Sequence, residues 1–348
     1  MKKYIVVLIC LVLLCSCAEV YRYTSDTFYA MNTVVDVIKN EEIKEDFAES
    51  TILDIEKRMS RTLENSEISM LNEGNDVGLS QDTLNVLEKA FEIAKNTDYA
   101  FNPALGNLTD LWDITSGRNY VPTEAEIKDA LSKCCAEDVQ ILDGKVILPE
   151  NMKIDLGGVA KGYALERACE SMEESAMGRA VSADFCISLG GNVGVSGSSK
   201  SRKENGKDGW NVGITNPFDK GGVVGTVLLC DGYVSVSGAY ERFFEKDGKI
   251  YHHIFDSKTG YPAVTDLASA VVISNDGLLS DALSTALFVK GCDEAVEFYK
   301  LGLYDFDMIL ITNSREIIVA GDSTDGFVVD ENCNDFVKYS LNEWLDKQ

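Results

Sequence analysis

The chain of 348 residues is short of the residue types on which several functions depend. It has only two histidines and five prolines, and its 57 acidic side chains outnumber its 32 lysines and arginines, for a formal net charge of −25. So acidic a protein lacks the basic surface that binds nucleic acid, and we expect no nucleic-acid partner. After residue 20 no apolar run approaches the roughly 20 residues that span a membrane.

The motifs of several enzyme classes are also missing. Three of the ten cysteines lie in the first 17 residues, and the other seven are an odd number without CxxC spacing. This pattern argues against a disulfide framework and against a zinc site. The GxSxG elbow of serine hydrolases, the P-loop and the GxGxxG fingerprint are absent as well.

The N-terminus reads as an export signal. "MKKYIVVLICLVLLCSCAEV" has two lysines, an apolar run from Tyr4 to Leu14 and then small residues, which is the order of a secretory signal peptide. Because "LCSC" resembles a lipobox, we predict a lipoprotein signal peptide over 1–16, an acylated Cys17 and a tether over 17–26. A plain cleaved signal peptide is the alternative. The lipid anchor would place the protein on the outer face of the bacterial cytoplasmic membrane, or on the periplasmic side of an envelope membrane.

Hydrophobic periodicity predicts an α+β protein, because helices and strands interleave without regular βαβ alternation. The predicted helices cover 43–60, a segment that opens at Ser80 as N-cap, 159–172, 280–291 and 293–302, and the predicted strands cover 28–39, short glycine-punctuated segments over 187–240, 269–274, 307–313 and 316–321.

Two segments have the residue types of a phosphate or cation site. "KIDLGGVAKGYA" (153–164) runs through an acid and two glycines into a helix with Lys161 in its first turn, a geometry that suits phosphate oxygens or a metal. In "SDALSTALF" (280–288), Asp281 and Thr285 are four residues apart and share one helix face. Carboxylate, hydroxyl and carbonyl oxygens are the ligands of Mg²⁺. The alternatives are a tight turn with a solvated lysine, and a helix capped by Ser280 or Asp281.

Both histidines lie in "YHHIFDSKTGYP" (251–262), where the last eight residues have the composition of a turn. Histidine titrates near neutral pH, so this segment is the candidate for proton transfer. Chance clustering is the alternative.

Eight segments, in order, resemble the ApbE-type flavin transferases, the FAD:protein FMN transferases. They run from about Thr27 to Asn313: "AMNT", "LENSEISMLN", "AFNPALGNLTDLW", "DLGGVAKGYA", "SLGGNVGVSG", "SVSGAYERFF", "HHIFDSKTGYP" and "SDALSTALFVKG". The resemblance implies one flavin transferase domain over 27–348, with a T-fold-like core, a second interlocked α/β part, and FAD and Mg²⁺ in the cleft between them. Such enzymes cleave FAD, attach FMN by a phosphoester bond to a threonine of a target flavoprotein, and release AMP.

The resemblance also assigns roles to residues. His253 matches the catalytic histidine, and the metal ligands match the Gly158 carbonyl, Asp281 and Thr285. From its position beside His253, we expect His252 to be structural or to support the residues that contact the ligand. The implied FAD contacts are Met31, Ala100, Phe101, Asn102, Asp155, Lys161 and Ile254. The family usually has glycine at the position of Asn32 and often aspartate at that of Asn102, and both departures are expected to change nucleotide affinity.

Two other functions fit the same residues. One is an Mg²⁺-dependent FAD pyrophosphatase, in which water replaces the threonine. The other is a non-catalytic FAD-binding lipoprotein, which would bind FAD without a metal. The target protein, a subunit of a membrane redox complex among the candidates, is not identified by the sequence.

Overall fold

The computed structural model describes residues 22–43, 47–199, 208–219 and 221–347. Cys17, the predicted signal peptide and the first half of the predicted tether, 17–21, lie outside the described residues. Within the described ranges, none of the helices has the length and apolar composition needed to cross a membrane.

The secondary structure interleaves strands and helices along the chain. The strands are β1 Tyr23–Ala30, β2 Thr33–Asn40, β3 Gln140–Leu142, β4 Lys145–Ile147, β5 Phe185–Leu189, β6 Asn192–Ser196, β7 Trp210–Thr215, β8 Val223–Leu229, β9 Gly232–Gly238, β10 Phe243–Lys246, β11 Lys249–His252, β12 Leu267–Ser274, β13 Asp307–Thr312, β14 Glu316–Ala320, β15 Val328–Val329 and β16 Val337–Ser340. The helices are α1 Phe47–Met59, α2 Glu67–Asn72, α3 Gln81–Asn96, α4 Gly106–Trp112, α5 Glu124–Leu131, α6 Ala160–Arg179, α7 Gly277–Lys290, α8 Cys292–Lys300 and α9 Leu341–Lys347, with 3₁₀ turns at Ala136–Asp138 and Asp322–Thr324.

A nine-stranded sheet organises the molecule, in the order β1-β2-β5-β6-β9-β12-β13-β14-β16. Its pairs are antiparallel except for β14 and β16. Because successive side chains of a strand point to opposite faces, the fully buried β12 serves two cores. Ala270 and Val272 join the core under α1, α6 and α7, whereas Val271 and Ile273 join the core under β7 and β8. The α+β class is confirmed.

A third, smaller apolar cluster surrounds Trp112 and ties the histidine segment to the helical part of the molecule. The Trp112 indole N–H donates to Gly260 O at 2.9 Å, and the ring stacks near Phe255. Gly260 adopts φ +74°, and a Cβ there would lie 2.7 Å from Ile127 Cγ2. The predicted turn therefore packs against the helical part of the molecule, and these contacts fix the position of the segment that carries His253.

One predicted strand is two. The segment 28–39 breaks into β1 and β2, which are joined at Met31 and Asn32, with φ of 51° and 59°, and closed by the Ala30–Thr33 pair. A two-residue hairpin loop matches the right-handed twist of its strands when both loop residues have positive φ. Asparagine tolerates that conformation better than most residues. Asn32 can therefore occupy this turn position, where the resemblance to the flavin transferases leads us to expect glycine.

The other long elements form where the sequence predicts them. The Ser80 side chain accepts from Thr83 N at the start of α3. The apolar side chains Leu165, Cys169 and Met172, which are spaced along one face of α6, are buried. The capping alternative for α7 is wrong, because Asp276 caps that helix by accepting from Leu279 N at 2.8 Å. Asp281 and Thr285 therefore lie inside α7, and their side chains face one side.

Candidate active site

A cleft of about 320 Å³ lies between the helical part of the molecule and one end of the strands of the large sheet. Its walls come from the β1–β2 turn, α1, the loops around residues 100 and 155, the start of α6, the end of β9, the histidine segment and α7. The residues predicted from the sequence to form a site all line it: Met31, Ala100, Phe101, Asn102, Asp155, Gly158, Lys161, His253, Ile254, Asp281 and Thr285.

Two glycines bring the cation-site candidates together. A Cβ on Gly162 of α6 would lie 2.1 Å from Gly277 O, and a Cβ on Gly277 of α7 would lie 2.4 Å from Gly162 O. The two helices therefore cross with their backbones in contact, which only residues without a side chain permit. The crossing places Lys161 Nζ 3.7 Å from Asp281 Oδ1.

Asp281 is held as a buried carboxylate with a fixed orientation. It is 4% exposed, Oδ2 accepts from Gly162 N at 2.9 Å, and Oδ1 accepts from Asn192 Nδ2 at 3.3 Å. Because Gly162 N donates to Asp281, the carbonyl of Gly158 receives no hydrogen bond from any residue that the structure describes. A Cβ on Gly158 would lie 3.6 Å from Thr285 Oγ1, so the three predicted ligands are neighbours.

Asp155 and Lys161 lie at the glycine turn that leads into α6. Asp155 accepts from Gly157 N at 2.9 Å and from Thr109 Oγ1 at 2.8 Å, and Arg61 Nε lies 3.3 Å from its Oδ2. Lys161 Nζ donates to Gly157 O at 3.1 Å. The turn thus combines a carboxylate that is fully engaged with the protein and an ammonium group that faces the cleft.

The neighbouring histidines have different environments. His252 is buried, its Nε2–H donates to Ala263 O at 3.0 Å, and its Nδ1 accepts from Ile254 N at 3.3 Å, so both ring nitrogens are used inside the protein. His253 is half-buried on the cleft wall, and its Nδ1 donates to Arg242 O at 3.3 Å. A carbonyl can only accept, so Nδ1 carries the proton and the lone pair of His253 is on Nε2.

The charges of the cleft favour the neutral imidazole. Burial, followed by the positive charges of Arg242 and Lys161, lowers the pKa of His253 to about 3. Desolvation also raises the pKa of Glu241, on the same wall, to about 7, although Lys161 and Arg242 oppose that shift. Two groups with displaced pKa values in one cleft are typical of a catalytic site.

Sequence reasoning assigned no role to several residues of the cleft, namely Arg61, Thr109, Ser237, Glu241 and Arg242. Ser237, Glu241 and Arg242 lie in "SVSGAYERFF" and Thr109 lies in "AFNPALGNLTDLW", two of the segments that resemble the family, whereas Arg61 lies in none of these segments and reaches the site through tertiary contacts alone. Asn102 has both ends of its amide bonded to backbone, to Cys134 O at 3.2 Å and to Ala104 N at 2.8 Å. It shapes the loop and does not offer a free amide.

Among the described residues, no three acidic, histidine or cysteine side chains converge as metal ligands. A cation in this cleft would therefore rely on mixed oxygen donors. An α+β protein whose cleft combines such donors with lysine and arginine is suited to bind a phosphorylated ligand together with a divalent cation.

Comparison with known proteins assigns the chain to a family, since residues 26–309 match the model of the ApbE family. The FAD:protein FMN transferase of Klebsiella pneumoniae is 32% identical over 278 residues, covering 78% of each protein. That of Treponema pallidum is 35% identical over 227 residues, and the match spans 60% of each protein. The crystal structure of the Thermotoga maritima ApbE protein superposes with a TM-score of 0.74 at 30% identity, covering 89% of this chain and 98% of that one. The chain belongs to the ApbE family.

Proposed function

We propose that this chain is an Mg²⁺-dependent FAD:protein FMN transferase that attaches FMN from FAD to a threonine hydroxyl of a target flavoprotein by a phosphoester bond and releases AMP. FAD and FMN are taken from the name of the relatives. One observation of this chain carries the proposal: segments far apart in sequence bring a cation-binding donor set, cationic side chains and an oriented histidine into one cleft. That combination is what phosphoryl transfer requires.

The donor set fits a hard cation. Gly158 O, Asp281 and Thr285 Oγ1 are all oxygen ligands, and the carbonyl has no partner among the described residues. Asn192 Oδ1, beside Asp281, is likewise buried and unpartnered. Magnesium accepts few protein ligands and completes its shell with water and phosphate oxygens. When bound, it would neutralise charge on the phosphate oxygens of the substrate.

Cationic and apolar side chains of the cleft suit a flavin dinucleotide. Lys161, Arg61 and Arg242 offer positive charge to a pyrophosphate within an otherwise acidic protein. Phe101 and Ile254 offer apolar surface to a ring system.

His253 is the proposed general base. Its Nε2 takes the proton of the acceptor threonine as that oxygen forms a bond to the phosphorus of the FMN half. The bond between this phosphorus and the bridging oxygen breaks, and AMP leaves with the bridging oxygen. The proton passes from His253 to solvent. A base of this kind contributes about 10²- to 10⁴-fold in rate.

Ligand binding should make His253 a better base. Burial is the main cause of its low pKa, and the positive charges of Arg242 and Lys161 lower the pKa further. A pyrophosphate between these cations would offset their charge and raise the pKa toward its ordinary value. The imidazole would then be neutral at pH 7 and basic enough to accept a proton.

The proposal is tested with purified protein, FAD, Mg²⁺ and a flavoprotein that bears an acceptor threonine. Intact-mass measurement should show a gain of one FMN on the acceptor, with equimolar AMP, and a threonine-to-valine acceptor should gain nothing. Chelation of the metal, or Asp281→Asn, which keeps an acceptor for Gly162 N, should abolish both products. AMP release without transfer to any acceptor would favour the pyrophosphatase, and tight FAD binding without AMP release would favour the binding protein.

We propose a location for the protein from the pattern of its first 17 residues alone. Acylation of Cys17 would hold the domain on the outer face of the membrane, five residues before the first described residue, Arg22. A target flavoprotein would then lie close to the same membrane, as a subunit of a membrane redox complex does.

A further inference from the structure

Four buried serines form two matched pairs between β9 and α7. Ser235 Oγ lies 2.9 Å from Ser280 Oγ, and Ser237 Oγ lies 2.9 Å from Ser284 Oγ. Two residues of a strand and four residues of a helix both advance about 6 to 7 Å, so the pairs are in register. Buried hydroxyls in an otherwise apolar contact between strand and helix need partners, and each pair supplies them.

The second pair extends to a proposed metal ligand. Ser237 Oγ is also 3.2 Å from Thr285 Oγ1, and Ser284 Oγ donates to Asp281 O at 2.9 Å. Each hydroxyl has one proton to donate. Since the proton of Ser284 goes to the carbonyl, Ser237 donates to Ser284, and the oxygen of Ser237 remains as an acceptor for the proton of Thr285.

The alternative acceptor for Thr285 is less favourable. Thr285 Oγ1 is 3.4 Å from Asp281 O, which is long for a bond between a hydroxyl and an oxygen. That carbonyl already accepts from Ser284 and, one helical turn on, from the helical N–H of Thr285. Its two lone pairs are therefore in use.

We propose that Ser237 is a positioning residue that directs the proton of Thr285 away from the cleft, so that the oxygen lone pairs of Thr285 face the cation. The inference rests on the proposed Mg²⁺ site. A hydroxyl binds a cation only through a lone pair, and a proton turned toward the cation repels it. Groups that orient ligands in this way typically change metal affinity by 10- to 100-fold.

The chain contains a matched control for this residue. Ser235 lies two residues earlier on the same strand, is also buried, and makes the same kind of bond to Ser280, whose proton goes to Gly277 O at 3.0 Å. Ser235→Ala removes a buried serine pair without touching Thr285. Any difference between Ser235→Ala and Ser237→Ala therefore reports the connection to Thr285.

The test measures binding of Mn²⁺ alone, from the electron paramagnetic resonance signal of the free ion. Ser237→Ala should bind Mn²⁺ about tenfold more weakly than the wild type, and Ser235→Ala should bind it within about twofold. Ser237→Thr, which restores the hydroxyl, should recover most of the affinity. Wild-type affinity in Ser237→Ala, or equal losses in both alanine variants, would overturn the proposal.

A double-mutant cycle separates positioning from general damage. In a Thr285→Val background, where no hydroxyl remains to orient, Ser237→Ala should cause no further loss of Mn²⁺ affinity. A full additional loss would mean that Ser237 acts by another route. AMP release by Ser237→Ala should approach the wild-type kcat at saturating Mg²⁺, with a raised metal requirement. A wild type that binds Mn²⁺ but never cleaves FAD would refute the proposed function and leave the inference about Ser237 intact.

Discussion

Replacing His253 by alanine tests the proposed mechanism most directly. The ring lies on the cleft wall and makes one described hydrogen bond, from Nδ1 to Arg242 O at 3.3 Å. Because the core is not involved, we expect an unchanged fold and nearly unchanged binding of FAD and Mg²⁺. Transfer of FMN should slow by about 10²- to 10⁴-fold, which corresponds to about 3 to 5 kcal/mol of transition-state stabilisation.

The neighbouring His252 provides a control with the opposite signature. Its ring is buried against Phe288, with ring centroids 5.7 Å apart, and both nitrogens are hydrogen-bonded. His252→Ala leaves Ala263 O and Ile254 N without these partners and opens a cavity, which should cost roughly 2 to 4 kcal/mol of stability. At a temperature where the variant remains folded, its transfer rate should change far less than that of His253→Ala.

Three measurements separate these effects. The transfer rate is measured by intact-mass kinetics on a threonine-bearing acceptor, the affinity for FAD by fluorescence titration, and the stability by thermal melts. Equal transfer rates for the wild type and His253→Ala would remove His253 from the mechanism. Weaker FAD binding and slower transfer in both variants alike would instead mean that either substitution disorders the loop.

Three further predictions follow from other parts of the molecule. Gly162→Ala places a Cβ 2.1 Å from Gly277 O and should lower both the melting temperature and the affinity for Mn²⁺. Gly178→Ala on the same helix, where a Cβ would have nothing within 4 Å, should lower neither. Equal melting temperatures for the two variants would contradict the close crossing of α6 and α7. Burial lowers the pKa of both histidines, so the stability they contribute is present above about pH 6.5 and is lost as the pH falls toward the folded pKa. Urea unfolding should therefore show a smaller acid loss for His253→Ala than for the wild type between pH 7 and pH 5, and identical losses would contradict the low pKa. Expressed in a bacterium with its own leader, the protein should carry acyl chains on Cys17, and Cys17→Ser should leave the membrane fraction; membrane retention of that variant would exclude the anchor.

Local signals predicted the parts of the site that lie within one element. The spacing of Asp281 and Thr285 fixes their shared face as soon as α7 forms, and Ser80 caps α3 because a serine before an apolar-periodic segment satisfies a free N–H. The hairpin at Met31 was missed because no glycine or proline interrupts the β-branched pattern there. Its left-handed turn becomes visible only when β1 and β2 pair.

The convergence of these elements could not be predicted from periodicity. The crossing of α6 and α7 depends on a glycine in each helix, and neither glycine stands out from the other 26 of the 28 in the chain. Arg61 reaches Asp155 only because α1 packs beside α6. The resemblance to a family supplied the residues in advance, and the fold supplies the reason that they meet.

The net charge of the chain and the local charge of the cleft lead to different expectations about ligands, and the two expectations are compatible. A net charge of −25 excludes a long row of phosphates, because each successive phosphate must meet its own cation on the surface. A dinucleotide carries only two phosphates, and carboxylates more than about 8 to 10 Å away are screened by salt. Such a ligand would encounter the local set of Lys161, Arg61 and Arg242, together with the cation that we propose at Asp281. The same chain can therefore reject nucleic acid and bind a pyrophosphate.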